Sequence, residues 1–197
     1  MADVYYTLAR PSEGVYKEKM SKFMAFAAPV ESAAEAKTFI SAIQKKYFDA
    51  RHVCWAYMIG SERNEFLSSD NGEPSGTAGK PILGQINSFN LTNVAIAVVR
   101  YFGGIKLGTS GLIVAYREAA REAISAGEII ELHDMADVSF TFPYLSMEPV
   151  MRLAKGGEAE VVSQSFDNVC SMTLRIRLDH ADDLRRRLGD IEGLSIL

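Results

Sequence analysis

Between Asn93 and Gly103 the chain reads NVAIAVVRYFG, and six residues in succession, Val94 to Val99, carry no polar side chain. Four of the six are β-branched. A run this short makes a strand buried on both faces and not a membrane span, which needs ~20 apolar residues. Such a strand requires partners on either side and layers above and below it. The rest of the chain must therefore supply a sheet with helices packed on it.

The flanking segments are patterned for that task. Residues 15–28 (VYKEKMSKFMAFAA) read as extended and end at Pro29. Ser32 with Glu35 forms a capping box, and Ala36, Phe39, Ile40, Ile43 and Tyr47 then recur at helical spacing. In RHVCWAYMIG, Val53, Trp55, Tyr57 and Ile59 alternate with His52, Cys54, Ala56 and Met58, the pattern of a strand covered on both sides. EFLSS is a short partner strand. Pro81 suits the first turn of a helix carrying Ile82, Leu83, Ile86 and Phe89. After the apolar strand, GGIKLGTSG opens the helix LIVAYREAAREAISA, with Gly127 at its C′ position. These segments predict the order β-α-β-β-α-β-α.

After GEIIEL the pattern restarts. DMADVSFTFPY reads as a strand, SMEPVMRLAK as a helix ended by Gly156 and Gly157, and EAEVVSQSF and VCSMTLRIRL as strands joined at Asp167 and Asn168. HADDLRRRL and LSIL complete a β-α-β-β-α-β order within about 65 residues, which is the ferredoxin-like pattern. A chain of 197 residues has room for two such domains, expected at 1–131 and 132–197, with the boundary near Leu132. Arg185, Arg186 and Arg187 follow Asp182 and Asp183 on the second helix and read as a solvated, salt-bridged face.

Charge is distributed unevenly. The net charge is −4, which argues against coating nucleic acid along the whole surface. From Gly72 to Arg117, however, Lys80, Arg100, Lys106 and Arg117 face Glu73 alone, an excess of +3 on an otherwise acidic chain. Cys54 and Cys170 lie far apart in two strand patterns without a CxxC or a Cys/His cluster, so buried free thiols are expected and no metal set is identified. The amino terminus has neither a basic start nor an apolar signal core. A cytoplasmic location, with no membrane partner, is the expectation.

Two glycine-rich loops are the candidates for binding. DNGEPSGTAGKP, residues 70–81, fails as a Walker loop, because Gly79-Lys80 is followed by Pro81 and Pro74 stands where the first glycine belongs. GGIKLG also lacks dinucleotide spacing. What both retain is glycine-rich backbone leading into a helix start, whose free N–H groups suit an anion; close packing of backbone accounts for the same glycines. Arg100, Tyr101 and Phe102 end the apolar strand beside the second loop, where a cation and one ring can present a stacking surface for phosphate or bases. The candidate set is Arg51, Asp70, Gly72, Glu73, Gly76, Thr77, Gly79, Lys80, Arg100, Tyr101, Phe102, Gly103, Gly104, Lys106, Gly108 and Arg117. His52 has no cysteine or acid at catalytic spacing and reads as a structural histidine. No catalytic residue and no cofactor is assigned.

DNGEPSGTAGKPIL followed by NVAIAVVRYFGGIKLGTSGLIVAYREAA resembles the signature region of the IMPACT family, in its bacterial, YigZ-like form, and YKEKMSKFMAFAAPV and RHVCWAY match the family's pattern as well. The resemblance covers residues 13 to about 127. It implies a two-domain α+β protein, with a ribosomal-protein-type left-handed βαβ domain followed by a ferredoxin-like domain similar to domain V of elongation factor G. The amino-terminal RWD domain of eukaryotic members is absent from this sequence. The expected function is non-enzymatic: binding RNA or a ribosome-associated protein and influencing translation. The rivals are a small-molecule enzyme or phosphate-ligand binder using the same loops, and a protein–protein adaptor, which needs an exposed apolar patch.

Overall fold

The computed structural model describes residues 4–197. The chain is a two-domain α+β protein, and its contacts divide it into two compact units, Tyr5–Leu132 and His133–Leu197. No helix among the described residues is long and apolar enough to cross a membrane.

The first unit is built on an antiparallel sheet of five strands. These are β2 (Ser12–Glu18), β3 (Ser21–Pro29), β4 (His52–Ile59), β5 (Glu65–Ser69) and β6 (Val94–Tyr101), in the order β2-β3-β6-β4-β5. The apolar run is thus the central strand, and every residue from Val94 to Arg100 is buried. Helix α1 (Ala33–Lys46) covers one face, packing near Phe26, Val53, Tyr57, Ile59, Ala95, Ala97 and Val99. Helices α2 (Gly79–Ser88) and α3 (Gly108–Ser125) cover the other, over Phe23, Ala25, Cys54, Ala56, Val94, Ile96 and Val98. The alternation in β4 follows from this, since residues i and i+2 point into different helical layers from residues i+1 and i+3. Burial of each large aliphatic side chain contributes roughly 1.5–3 kcal/mol.

Residues 15–28 are not a single strand. Lys19 and Met20 both take positive φ, 45° and 66°, and fold the segment into the β2–β3 hairpin. The turn type prefers Asn-Gly or Asp-Gly, so a Lys-Met pair gives no local signal. A short strand β1 (Val4–Leu8) pairs with β7 (Ile129–His133) in a separate two-stranded sheet, which the β-α-β-β-α-β-α order omits. Helix α1 is capped by Ser32, whose Oγ accepts from Glu35 N–H at 3.2 Å, while the Glu35 carboxylate reaches one residue past the cap and accepts from Glu31 N–H at 2.8 Å. Helix α3 starts at Gly108, one turn earlier than Leu112, so GTSG belongs to the helix and not to the loop.

The second unit contains β8 (Met135–Phe142), α4 (Met147–Ala154), β9 (Glu160–Phe166), β10 (Cys170–Arg177), α5 (Ala181–Gly189) and β11 (Ser195–Ile196). Its antiparallel sheet has the order β11-β8-β10-β9, the ferredoxin-like arrangement of two interleaved βαβ halves. Val138, Phe140, Phe142, Met172, Leu174 and Ile176 meet Val150, Leu184 and Leu188 of the helices in one core. Arg185 pairs with Asp182 at 2.9 Å, while Arg186 and Arg187 share Asp183, on the exposed face of α5. Cys54 and Cys170 are free and buried.

Candidate functional site

The site is set by strand register. His52 on β4 and Phe23 on β3 stand directly opposite Arg100 on β6, so the three side chains form a row across the end of the sheet, on the α2/α3 face. Tyr101, one residue on, points to the other face, where its hydroxyl donates to Asp49 Oδ1 at 2.8 Å. Phe102 lies just past the strand and is more than half exposed.

Arg100 is 8% exposed. Its Nη1 donates to Glu73 Oε1 at 2.5 Å, and the Tyr116 hydroxyl of α3 donates to the same oxygen at 2.7 Å. The guanidinium carbon is 5.7 Å from the ring centroids of both Phe23 and Phe102, so the cation contacts two aromatic rings. Tyr116 is fully buried and meets Phe23 edge-on at 5.1 Å. Burial, then the neighbouring Cys54 and Glu73, push the Tyr116 phenol far up, so it stays protonated and acts as a donor. Burial likewise pushes the Cys54 thiol up to about 12, and its Sγ donates to the Asp70 carbonyl at 2.9 Å. That thiol is an inert core group.

The first glycine-rich loop is closed on itself. Asn71 and Gly72 take positive φ, 39° and 87°, and Glu73 N–H donates to the Asp70 carbonyl at 2.9 Å, giving a tight turn of mirror-image type. The Asp70 carboxylate then accepts from Gly76 N–H at 2.8 Å, Ala78 N–H at 3.0 Å and Gly79 N–H at 2.8 Å. Burial raises the Asp70 pKa, but the three N–H bonds and Lys80 outweigh it and hold the carboxyl below its ordinary value. The N–H groups at the start of α2 therefore already hold an anion, and it is the chain's own. Thr77 is also used internally, donating to the Pro74 carbonyl at 2.6 Å. Lys80 is exposed beside this loop.

The second loop leaves an open groove of about 260 Å³ lined by Arg51, His52, Arg100, Phe102 and Lys106. Arg51 and Lys106 are exposed and make no ion pair among the described residues. Gly103 fixes the loop's path, since a Cβ there would lie 2.0 Å from the backbone carbon of Met20 in the β2–β3 turn. Gly104 and Gly108 have positive φ, 91° and 73°. His52 Nδ1 is 2.9 Å from the Asn71 carbonyl. Gly72 permits that approach, because a Cβ there would meet the ring at 3.2 Å.

Of the candidate residues, Arg51, Arg100, Phe102 and Lys106 come together in the groove, with Glu73 buried beneath Arg100. Arg117 does not join them. It lines a separate groove with Arg121, and both arginines pair with Glu118, at 3.4 and 3.6 Å. The excess of +3 is therefore not one island, because Glu73 and Glu118 draw off Arg100 and Arg117. His52, Tyr116 and Phe23 are in or under the groove and were outside the candidate set. The alternation in β4 places His52 on the Cys54 face, and only the register against β6 adds that Arg100 stands opposite.

Residues 19–124, which include every groove residue, match the Impact N-terminal domain. The chain belongs to the IMPACT family. It is 38% identical over 190 residues to the IMPACT family member YigZ of Escherichia coli, covering 95% of this chain and 93% of that one. It is 36% identical over 146 residues to the IMPACT family member YvyE of Bacillus subtilis, covering 71% and 67% of the two chains. A crystal structure of a hypothetical protein is similar over 100% of this chain and 98% of its own, with a TM-score of 0.77 at 25% identity. The IMPACT-type resemblance of the glycine-rich motif and the two-domain fold thus agree with independent sequence and structural relatives.

Proposed function

We propose that this IMPACT family member is a non-enzymatic protein that binds RNA, free or on a ribosome-associated assembly, and thereby influences translation. The observation that carries the reading is the groove lined by Arg51 and Lys106, which make no ion pair among the described residues, and by the exposed ring of Phe102. Cations that track phosphates beside a ring that stacks a base are the recurring elements of single-strand recognition. The buried acid nearest the groove, Glu73, is held by Arg100 and Tyr116, which supports binding over acid–base chemistry. The second reading is a free phosphate-bearing small molecule, which the cations lining this small groove of about 260 Å³ favour.

The test is RNA binding titrated across ionic strength for the parent and Lys106→Ala. Lys106 is the best probe, because a surface lysine in a loop can be removed at little structural cost. The parent is expected to weaken steeply with salt, and the variant to lose about one counterion, or slightly less, from the slope without a change in sequence preference. Identical slopes remove Lys106 from the contact set. Absence of RNA binding at low salt, with binding of inorganic phosphate or a mononucleotide retained, transfers the groove to the second reading.

A further inference from the structure

Resting on the RNA reading of the groove, we propose that His52 reads the ribose: its Nε2 accepts a hydrogen bond from a 2′-hydroxyl, so that the groove distinguishes RNA from DNA of the same base sequence.

The argument begins with the Asn71 carbonyl. A carbonyl oxygen only accepts, so the 2.9 Å contact requires the hydrogen on His52 Nδ1. In the neutral imidazole the other nitrogen, Nε2, is then a bare acceptor. The tight turn at Asn71 and Gly72 holds this tautomer in place, since it fixes the carbonyl and leaves room for the ring.

The rest of the charged lining is of opposite character. Arg51, Arg100 and Lys106 are donors without any acceptor capacity. Arg100 is more than nine-tenths buried and spends Nη1 on Glu73, and its Nε is buried without a hydrogen-bond partner, so Arg51 and Lys106 are the exposed donors of the groove. A complementary ligand offers oxygen acceptors to the cations, a flat face to Phe102, and one O–H or N–H to His52. A ribonucleotide in a strand carries all three. His52 adjoins Arg51 in the chain and stands opposite Arg100 across the β4–β6 ladder. His52 therefore sits beside two of the cations of the groove, and the 2′-hydroxyl is the donor of a ribonucleotide that lies near its phosphate. A deoxyribonucleotide leaves Nε2 without its donor, and the groove's partial exposure to water limits the loss to about 3–10-fold in affinity.

The probes are oligouridylate and oligodeoxyuridylate of equal length, which differ only at the 2′ position, with uridine and deoxyuridine monophosphate as competitors. The proteins are the full chain, His52→Phe, which keeps a ring but no nitrogen, and His52→Gln, which returns an amide carbonyl at similar reach. The parent is expected to prefer the ribo-oligomer by about 3–10-fold, His52→Phe to bind both oligomers equally, and His52→Gln to recover part of the preference. If His52→Phe fails to fold, the parent's preference and its partial retention in His52→Gln carry the test. Preferential competition by uridine monophosphate over its deoxy form supports the ribose reading with a free nucleotide as its source. Tight binding of both oligomers with no preference overturns the role of His52 and leaves the RNA groove standing. A preference that His52→Phe leaves intact overturns it equally. Failure to bind either oligomer at low salt removes the groove reading itself.

Discussion

The two glycine-rich loops have similar composition and opposite uses. In residues 70–81 the N–H groups that lead into α2 are consumed by Asp70, and Glu73 is buried as the partner of Arg100. In residues 102–108 the backbone is held by one close approach, Gly103 against Met20, and the side chains of Phe102 and Lys106 are left to solvent. Glycine content marks where backbone must bend or touch and says nothing of what the exposed N–H groups meet. What separates the loops is an acid at the start of the first one.

The comparison breaks if the first loop proves dispensable to folding. Glu73→Ala leaves the buried Arg100 charge without its counter-ion and Tyr116 without its acceptor, and is expected to destabilise by about 3–5 kcal/mol. Chemical denaturation measures this, and a loss below about 1 kcal/mol would show that Arg100 finds water or another acceptor.

Asp70→Asn is the second largest effect expected, about 2 kcal/mol at neutral pH, because an amide cannot replace a carboxylate that accepts three N–H bonds. The sign with pH follows from the lowered pKa. The native state binds this proton less readily than the unfolded chain, so the contribution is fully present above the ordinary carboxylate value near 4. It is lost as pH falls through the lowered value. Denaturation midpoints of parent and variant should therefore converge in acid and diverge toward pH 7, and a constant gap would assign the effect to something other than the carboxylate.

In the second loop, Gly104→Ala carries the smallest of the three effects. Nothing lies near the added methyl group, so the cost is that of a positive φ alone, about 1–2 kcal/mol. A larger loss of melting temperature would mean that this loop too is packed. An unchanged melting temperature with binding lost would make its backbone a contact surface.

Much of the fold was legible because its strongest signals are local. The capping box at Ser32, the alternation of β4 and the apolar run of β6 each name an element and its buried faces without reference to any other. The β2–β3 hairpin was not legible, because Lys19 and Met20 take left-handed backbone that neither residue favours, and the surrounding strands enforce it. The pairing of β1 with β7 joins segments more than a hundred residues apart, and neither carries an apolar run to announce it. At the groove, residue type pointed to Arg51, Arg100, Phe102 and Lys106. Two facts required the third dimension: His52 stands opposite Arg100, and Asp70 folds back onto the N–H groups six to nine residues ahead of it.

Strand β6 lies at the middle of its sheet and is the last of the five strands to be synthesised. Until it exists, β2–β3 and β4–β5 are two separate hairpins with no shared ladder, because neither β3 nor β4 has any other partner on its inner side. Each then presents a row of unsatisfied backbone groups suited to pairing with another chain. Completion of the sheet awaits an insertion between two preformed edges, a non-local step that a growing polypeptide cannot take before residue 94 has been added. For a nascent chain, vulnerability to misassociation is therefore a matter of elongation speed through the stretch from Ser69 to Tyr101, and slow codons there would prolong it more than slow codons anywhere in the second unit.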